Sequence, residues 1–554
     1  MPVNELSFDP RHAWYPVPGI AGAQWSVEVF TATDVRLVDP ARARFDGTSL
    51  QADGLMLPGG QATLPGTVSA KLAIEAQGVT WQIVAEADQA IKAVKVLFRG
   101  LPGGDGAGWW SPTTPRETSL TPAPGQPVLL RYPWPSWQTP WACAGEGPGV
   151  TVSVRDSLVR AKRFYAFAPP WSAGPVAEVI CDQLATQRGA RFEVPEVRLR
   201  QCPSAEDIAA DLRAHLGHLE STFGLVPWEE RSDVPSWAHR LRLVVTLHGQ
   251  HWTGYVFNTF DKMAAILREV TRHIPGEEVI AYLPGWEGRY YWQYPVYRPG
   301  PDLGGEAGFG YLAETARALG VHLMPMFGAH GANVRQYPAW QDAVFRSPGD
   351  RYAMHVNHPD WDGDRAGEDD QIFLNPGEPG YRAFLGGQIS DLVTRYQLDA
   401  AFLDTSGCWF DDPRHDLVGG YRALVSDLTA AHPGLLVCGE GWFDALLGLF
   451  PMNQTWLDVS RTTRTGDLPY RYARLLGHLT DGCPGQGSTG VQEAGFRAVA
   501  KPVHVPGYLP SLGFVSDTLE RHQDDIAAFC QAMNETPGDA AASPVDSSSH
   551  LGRN

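Results

Sequence analysis

The sequence predicts an α/β protein in which a (β/α)8 TIM barrel follows an N-terminal antiparallel β-sandwich domain. Three observations support this fold class. Short alternating apolar runs, separated by glycine and proline, fill roughly the first 200 residues. From about residue 240, continuous apolar runs alternate with amphipathic helical stretches. Trp, His, Asp and Glu follow those apolar runs, as they do at the carboxyl ends of barrel strands.

The N-terminal part has the pattern of half-buried antiparallel strands. Its apolar and polar residues alternate with a period of two in runs such as QWSVEVF, VTWQIVAEA and IKAVKVLF. Many short strands with little helical periodicity predict a β-sandwich over residues 1–203. The next stretch, SAEDIAADLRAHLGHLESTF, begins with a capping serine and early acids, and it predicts a linker helix within 204–236.

The C-terminal part has the pattern of repeated βα units. Five predicted strands lie in LRLVVTLHG, EVIAYLPGW, VHLMPMFGAHGAN, DAAFLDTSG and LLVCGEGW, each followed by a helical stretch. A doubly wound sheet is the alternative, but no G-x-G-x-x-G and no P-loop follows the first strand. We therefore predict a barrel over 237–536, with TWLD as a sixth strand and GYLPSLGF as the closing strand. A disordered tail is predicted over 537–554.

Composition narrows the functional classes. The formal net charge is -18 and no Lys/Arg-rich run occurs, which argues against nucleic acid as a partner. The 7 cysteines lack C-x-x-C or zinc spacing, which favours free thiols in a reducing compartment. The N-terminus lacks a signal-like pattern and no long apolar run occurs, so we expect a cytoplasmic protein without membrane contact. Assembly into a homo-oligomer is left open.

Two carboxylates end consecutive predicted strands, Asp404 the fourth and Glu440 the fifth. Neighbouring parallel strands lie about 4.8 Å apart, so these groups are expected to face each other. A retaining glycosidase uses such a pair at about 5–5.5 Å. Hydroxyl and N–H groups at Thr405 and Ser406 favour an ionised Asp404, the predicted nucleophile. The apolar run before Glu440 and the neighbouring Trp442 favour a raised pKa and an acid/base role.

Polar and aromatic residues at the other strand ends suit the subsites of a carbohydrate substrate. Asp458 is the candidate for a third carboxylate that orients sugar hydroxyls. The remaining substrate-binding candidates are His248, Trp252, Trp286, Glu287, His330, Asn333, His355, His358, Trp409 and Trp442. No cofactor is expected, although DWDGD at 360–364 offers oxygen ligands for a structural Ca²⁺ without the full EF-hand spacing.

The endings FLDTSG and GEGW, after a long β-rich segment, resemble those of retaining α-glycosidases related to the α-amylase superfamily. The resemblance is strongest to bacterial endo-α-N-acetylgalactosaminidases and the uncharacterised glycoside hydrolases around them. In that group an Asp ending strand four is the nucleophile and a Glu ending strand five is the acid/base, roles that fall on Asp404 and Glu440. The resemblance implies α-linked substrates, and we expect exo action on short oligosaccharides. α-Amylases carry an Arg where this chain has Phe402.

Two other functions remain open from the sequence. A metal-dependent barrel hydrolase or isomerase would take its ligands from His248, His251, His330, Asp362 and Asp364. A carbohydrate-binding protein with an inactive barrel would keep the sugar subsites and lack turnover. The residues do not specify the sugar, its ring form or the linkage.

Overall fold

A computed structural model places an antiparallel sheet domain before a parallel barrel, with one long helix between them. The structure describes residues 12–60, 62–102, 108–114, 120–122, 126–133, 136–169, 172, 174–251, 254–288, 292–346, 355–356, 371–455, 468–477 and 506–535. The predicted tail, 537–554, lies outside these residues.

The first domain is built on one antiparallel sheet of 15 strands. These strands are β1 Tyr15–Pro16, β2 Gln24–Thr31, β3 Val35–Val38, β4 Ala43–Phe45, β5 Ser49–Met56, β6 Thr63–Glu75, β7 Gly78–Ala87, β8 Ile91–Arg99, β9 Trp109–Trp110, β10 Val128–Tyr132, β11 Trp141–Gly145, β12 Gly149–Arg155, β13 Lys162–Phe167, β14 Val176–Asp182 and β15 Arg191–Cys202. Along the sheet the main order is β10-β13-β14-β8-β2-β3-β5-β6-β7-β15-β12-β11-β9.

This sheet folds back on itself into two layers around one aromatic core. Trp81 of β7 lies 5.7 Å from Trp25 of β2 and 5.1 Å from Phe98 of β8, measured between ring centroids, although several strands separate β7 from β2 and β8 in the sheet. The sequence predicted a sandwich, and the structure gives its two layers within one continuous sheet. Register shifts in β5 and β15 explain the difference, because bulges bend a strand and let the sheet curl.

Helix α1, Ala205–Phe223, connects the two domains. Ser204 and Asp207 form a capping box at its start, and Gly224 ends it at a φ of 66°, a left-handed conformation that glycine adopts without strain. Its first half packs against Trp141 of the sheet, whereas Leu219 packs against residues near the barrel. The change in sequence pattern near residue 204 therefore coincides with this junction.

The second domain contains the remaining strands. They are β16 Leu243–Leu247, β17 Val279–Leu283, β18 His322–Gly328, β19 Gly331–Asn333, β20 His355–Val356, β21 Gln371–Phe373, β22 Ala400–Asp404, β23 Leu436–Glu440, β24 Met452–Thr455, β25 Arg474–Gly477, β26 Tyr508–Leu509 and β27 Ser511–Phe514. Nine of them form a parallel sheet in the order β26-β25-β24-β23-β22-β18-β17-β16-β27, while β19, β20 and β21 form a small antiparallel sheet.

The parallel sheet closes into a barrel through a divided last strand. Strand β26 pairs with β25, and β27 pairs with β16, so the two short strands on either side of Pro510 occupy one position. The carbonyl of Pro510 still accepts a hydrogen bond of 2.9 Å from the N–H of Val244. Eight strand positions therefore surround the barrel, and GYLPSLGF supplies the closing strand as predicted.

Helices follow the barrel strands as the alternating pattern predicts. They are α2 Phe260–Val270, α3 Gly305–Leu319, α4 Pro379–Tyr396, α5 Leu417–Ala431, α6 Asp444–Leu447, α7 Leu468–Tyr472, α8 Thr518–Arg521 and α9 Gln523–Glu535. Short 3-10 turns lie at Pro40–Arg42, Ala185–Gln187, Trp228–Glu230, Ala238–Arg240, Gly276–Glu278, Pro301–Leu303 and Val334–Ala339. None of the helices described is long and apolar enough to cross a membrane.

The sixth strand differs from the prediction. It is MNQT, Met452–Thr455, rather than TWLD, because Met452 and Gln454 pair in register with Cys438 and Glu440 of β23. Polar side chains of this strand are buried in the barrel, which hides it from a search for apolar runs. Residues 456–458, with the candidate Asp458, lie outside the described residues.

Replacing Trp81 by alanine should destabilise the sheet domain, because this side chain is fully buried between the two layers. A Trp→Ala change in a core costs about 3–5 kcal/mol, which for a domain of this size lowers the Tm by on the order of 10 °C. Thermal unfolding followed by near-ultraviolet circular dichroism measures the shift. The control is Ile74→Ala at a side chain that is 49% exposed. Equal shifts for the two variants would contradict the two-layer packing.

Candidate active site

Asp404 and Glu440 meet at the carboxyl ends of β22 and β23. Each residue is 3% exposed, and their side chains are joined by a hydrogen bond. Burial raises the pKa of Glu440, while the hydrogen bonds from Asp404 and from the Thr405 backbone oppose that rise. An ionised carboxylate can only accept, so this hydrogen bond requires one proton between the two groups. Burial and the raised pKa of Glu440 keep this proton within the pair.

The hydrogen bond confirms that the two carboxyl groups face each other across the strand ends. Facing carboxylates on neighbouring strands were expected at about 5–5.5 Å, the spacing of a retaining glycosidase. Two ionised groups would repel to such a distance, whereas a shared proton draws the side chains of Asp404 and Glu440 together.

A strained turn holds the pair in place. Thr405 has a φ of 60°, a left-handed conformation that is rare for a β-branched residue. Its N–H donates to Oε2 of Glu440 at 2.6 Å, and its hydroxyl donates to the carbonyl of Asp404 at 2.7 Å. The strain in this turn therefore directs a backbone donor at the second carboxyl group.

The backbones of the two strand ends are also joined to each other. The N–H of Glu440 donates to Oγ of Ser406 at 2.8 Å, and the N–H of Gly407 donates to the carbonyl of Glu440 at 2.6 Å. A Cβ added at Gly407 would lie 2.8 Å from that carbonyl oxygen and 2.9 Å from Cα of Gly441. Only glycine allows this approach, which keeps the main chains beside Asp404 and Glu440 in contact.

Glu287 is a third carboxyl group in the same electrostatic environment. It follows β17, is fully buried, and burial raises its pKa to about 8. The nearby hydroxyl of Tyr294 opposes that rise, whereas the negative charge of Asp404 adds to it. The sequence analysis named Glu287 as a substrate ligand, and the structure places it close enough to Asp404 for their charges to interact. Sequence analysis missed Tyr294, which lies within the aromatic run RYYWQY.

Three other substrate-binding candidates also lie near the ends of strands in the second domain. His248 directly follows β16, is buried, and packs edge-on against Phe257 with 5.9 Å between ring centroids. Trp409 is half-buried in the loop that follows Asp404 and packs against the barrel core. His355 lies in β20, which pairs with β21 beside the barrel. Trp252 and His358 lie outside the described residues.

Two of the tryptophans predicted to bind substrate pack within the protein. The indole N–H of Trp286 donates to the carbonyl of Met326 at 2.8 Å, and its ring packs against Phe309 of α3 at 5.1 Å between centroids. Trp442 is 2% exposed and packs with Leu219 of α1 and Leu447 of α6. Both rings are covered by protein, as are Asp404 and Glu440, and their contact with substrate stays a prediction.

His330 and Asn333 also make contacts within the protein. Nδ1 of His330 lies 2.8 Å from the hydroxyl of Tyr421, and three phenylalanine rings surround the imidazole. Burial lowers the pKa of His330 to about 3, so the ring is neutral. Oδ1 of Asn333 accepts hydrogen bonds from the N–H and the Nε of Arg335 at 3.1 and 3.0 Å. These contacts order the core around His330 and the turn after Asn333, and substrate contact by either residue stays a prediction.

The alternative function as a metal-dependent hydrolase or isomerase requires a metal centre. Within the described residues, no three His, Cys, Asp or Glu side chains converge as metal ligands. Its proposed ligands Asp362 and Asp364, and the whole DWDGD stretch considered for Ca²⁺, lie outside those residues.

A surface cavity of about 410 Å³ adjoins the segment that contains Tyr294. Trp292 and Arg335 are among its lining residues, and the guanidinium of Arg335 lies 3.8 Å from the centroid of the Trp292 ring. A flat ring with neighbouring polar groups has the composition of an outer sugar subsite.

The overall fold has solved relatives, although no family model and no characterised protein matches the sequence. The ligand-free alpha-N-acetylgalactosaminidase NagBb from Bifidobacterium bifidum is similar with a TM-score of 0.61 and 12% identity, over 95% of this chain and 94% of that chain. The GalNAc complex of NagBb gives a TM-score of 0.62 at 12% identity, over 94% and 92% of the two chains. The Gal-NHAc-DNJ complex gives 0.57 at 12% identity, over 84% and 83%. At this identity the likeness establishes a shared fold, and its extent includes both domains.

Replacing Glu287 by glutamine should change how stability depends on pH. The folded protein keeps a proton on Glu287 up to about pH 8, whereas an unfolded chain releases it near its ordinary pKa of 4.5. Between these values the folded state binds more protons, so the contribution of this group to stability falls as pH rises, by up to about 1.4 kcal/mol per pH unit. Glu287→Gln removes that titration.

Thermal unfolding of both proteins between about pH 5 and pH 8 measures this difference. The Tm of the wild type should fall more steeply with rising pH than the Tm of Glu287→Gln. The exposed Glu314→Gln on α3 serves as the control and should follow the wild type. Parallel curves for wild type and Glu287→Gln would show that Glu287 is ionised in the folded protein.

Proposed function

We propose that this protein is a glycoside hydrolase that cleaves α-linked glycosides or short oligosaccharides with retention of configuration. The observation that carries the proposal is the buried pair Asp404 and Glu440, which shares one proton at the ends of adjacent barrel strands. A retaining hydrolase needs one ionised carboxylate and one protonated carboxyl group, and these two environments supply them.

In the first step, Asp404 attacks the anomeric carbon while the proton of Glu440 passes to the glycosidic oxygen. The bond between the anomeric carbon and that oxygen breaks, and an ester bond forms between the sugar and Asp404. In the second step, Glu440 takes a proton from water as that water attacks the anomeric carbon. The ester bond breaks, Asp404 leaves as a carboxylate, and Glu440 regains its proton.

Substrate binding has to replace the carboxyl–carboxyl hydrogen bond. The proton shared by the two groups is the one that the glycosidic oxygen needs, so in the proposed complex Glu440 carries it and the substrate oxygen replaces Asp404 as its partner. The N–H of Thr405 can remain on Oε2 of Glu440 and stabilise the carboxylate that forms. The two groups then separate towards the spacing of about 5–5.5 Å that retention requires.

Two independent observations indicate which sugar the protein would act on. The sequence resembles α-glycosidases around its two strand ends, and the fold is similar to that of NagBb, which was solved with GalNAc bound. We therefore place α-N-acetylgalactosaminides and α-galactosides first among the substrates. Among the residues that the structure describes, Glu287 and His248 are the candidates for hydrogen bonds to the sugar, and Trp409 is the candidate for stacking on its face.

A second function is favoured by the closed contact between the carboxyl groups. If Asp404 and Glu440 stay joined when a sugar binds, the barrel recognises carbohydrate without turnover. This alternative predicts sugar affinity that survives Asp404→Asn and no hydrolysis by the wild type.

Hydrolysis of a panel of α- and β-linked nitrophenyl glycosides, with N-acetylgalactosamine, galactose and glucose as the sugars, tests the proposal. We expect turnover of an α-linked member and a loss of at least about 10³-fold in kcat for both Asp404→Ala and Glu440→Ala. Azide should restore Asp404→Ala and give a glycosyl azide of inverted configuration, because azide replaces the nucleophile. With Glu440→Ala, azide should give a retained product, because the ester with Asp404 still forms.

The exposed Asp391→Asn on α4 is the matched control and should keep the wild-type rate. Wild-type rates in both alanine variants would exclude the pair. Sugar binding by calorimetry without hydrolysis of any glycoside would instead establish the binding protein.

A further inference from the structure

We propose that the antiparallel sheet domain positions the general acid through a tether formed by Asp444, Tyr132 and Gln138. We call these three residues the Asp444 tether. The inference rests on the proposed function, because it assigns Tyr132 and Asp444 as positioning residues for Glu440. It adds a role for a domain that contributes neither of the two reacting carboxyl groups.

The tether begins four residues after Glu440. Asp444 is the first residue of the one-turn helix α6, and it is 1% exposed. Its Oδ1 accepts a hydrogen bond of 2.7 Å from the hydroxyl of Tyr132, and its N–H donates to the carbonyl of Gln138 at 2.9 Å. Both partners belong to the sheet domain, so residues 441–443 are held between the end of β23 and this domain.

Tyr132 is itself fixed by a buried polar group. Nζ of the fully buried Lys162 lies 4.5 Å from the centroid of the Tyr132 ring. Lys162 in turn pairs with Asp156 at 2.9 Å and donates to the carbonyl of Arg160 at 3.2 Å. The hydroxyl that holds Asp444 therefore has little freedom to move, and the position of Asp444 is set by the sheet domain.

The loop that carries the nucleophile has a similar contact with the sheet domain. Asp411, seven residues after Asp404 in the sequence, accepts hydrogen bonds from the N–H of Ala185 at 2.9 and 3.2 Å through its two oxygens. The sequence analysis did not include this residue among its site candidates. Each loop that follows a reacting carboxyl group thus places one aspartate against the sheet domain.

Domain packing alone does not account for the tether. Burial raises the pKa of Asp444 to about 7, so the site stabilises the folded chain less than an apolar contact of the same size would. A hydrogen bond is directional, however, and fixes the start of α6 to a fraction of an ångström. That precision matters for proton delivery, because a displacement of about 1 Å costs on the order of 100-fold in rate.

Leaving groups of different basicity separate proton delivery from a general loss of structure. A phenolate leaving group needs a proton from Glu440, whereas dinitrophenolate departs without one. For Tyr132→Phe and Asp444→Ala we expect kcat/KM to fall by about 10- to 100-fold with the phenyl glycoside and by less than about twofold with the dinitrophenyl glycoside. Asp444→Asn retains an acceptor oxygen for Tyr132 and should restore most of the phenyl glycoside rate.

Tyr165→Phe, on β13 of the same sheet, is the matched control and should leave both rates unchanged. Equal losses with the two leaving groups would assign Tyr132 and Asp444 a purely structural role and overturn the inference. So would failure of Asp444→Asn to exceed Asp444→Ala.

Amide hydrogen exchange in the peptide 436–447 provides a readout that does not need turnover. Tyr132→Phe should speed exchange in this peptide and leave exchange in β16 unchanged. If the wild type hydrolyses no glycoside, the proposed function fails. Unchanged exchange in Tyr132→Phe would overturn the tether, whether or not the wild type is active. If the wild type is active and exchange is unchanged, only the tether fails.

Discussion

One shared proton between Asp404 and Glu440 is the constraint on which the rest of the site depends. Two buried carboxylates in contact cannot both be ionised, so the environment has to decide which group keeps the proton. Burial favours the protonated form of Glu440, whereas the hydrogen bond from the N–H of Thr405 favours its ionised form. The strained φ of Thr405 and the close approach at Gly407 persist because they hold these two strand ends together.

The barrel places the carboxyl groups, and the sheet domain restrains the loops behind them. Strands β22 and β23 are neighbours with parallel register, so the ends of both point to the same side of the barrel. The barrel closes through β26 and β27, which keeps the ring of strands rigid although Pro510 interrupts the last position. Asp411 and Asp444 then join the two following loops to the first domain. Both domains thus contact the loops that follow Asp404 and Glu440.

The sequence predicts the parts of this structure that depend on local patterns. Apolar runs locate five strands and the closing strand, and Asp404 and Glu440 stand out because each interrupts such a run. The polar strand Met452–Thr455 is missed, since Asn453, Gln454 and Thr455 are polar residues that the structure buries. For Trp286 and Trp442 the sequence shows that a side chain lies near a strand end, but not that its ring packs against the surrounding helices.

The shortness of helix α6 explains why contacts from the sheet domain are needed to position the segment after Glu440. A single turn contributes few internal hydrogen bonds, so α6 cannot fix its own first residue. Its start nevertheless lies four residues from Glu440, so a shift there displaces the short segment 441–443 that joins the two. A directional hydrogen bond from Tyr132, whose ring is held by Lys162, supplies the missing restraint. The buried polar cluster in the first domain is therefore explained by the orientation it gives to the acid, since apolar packing would join the domains without fixing that orientation.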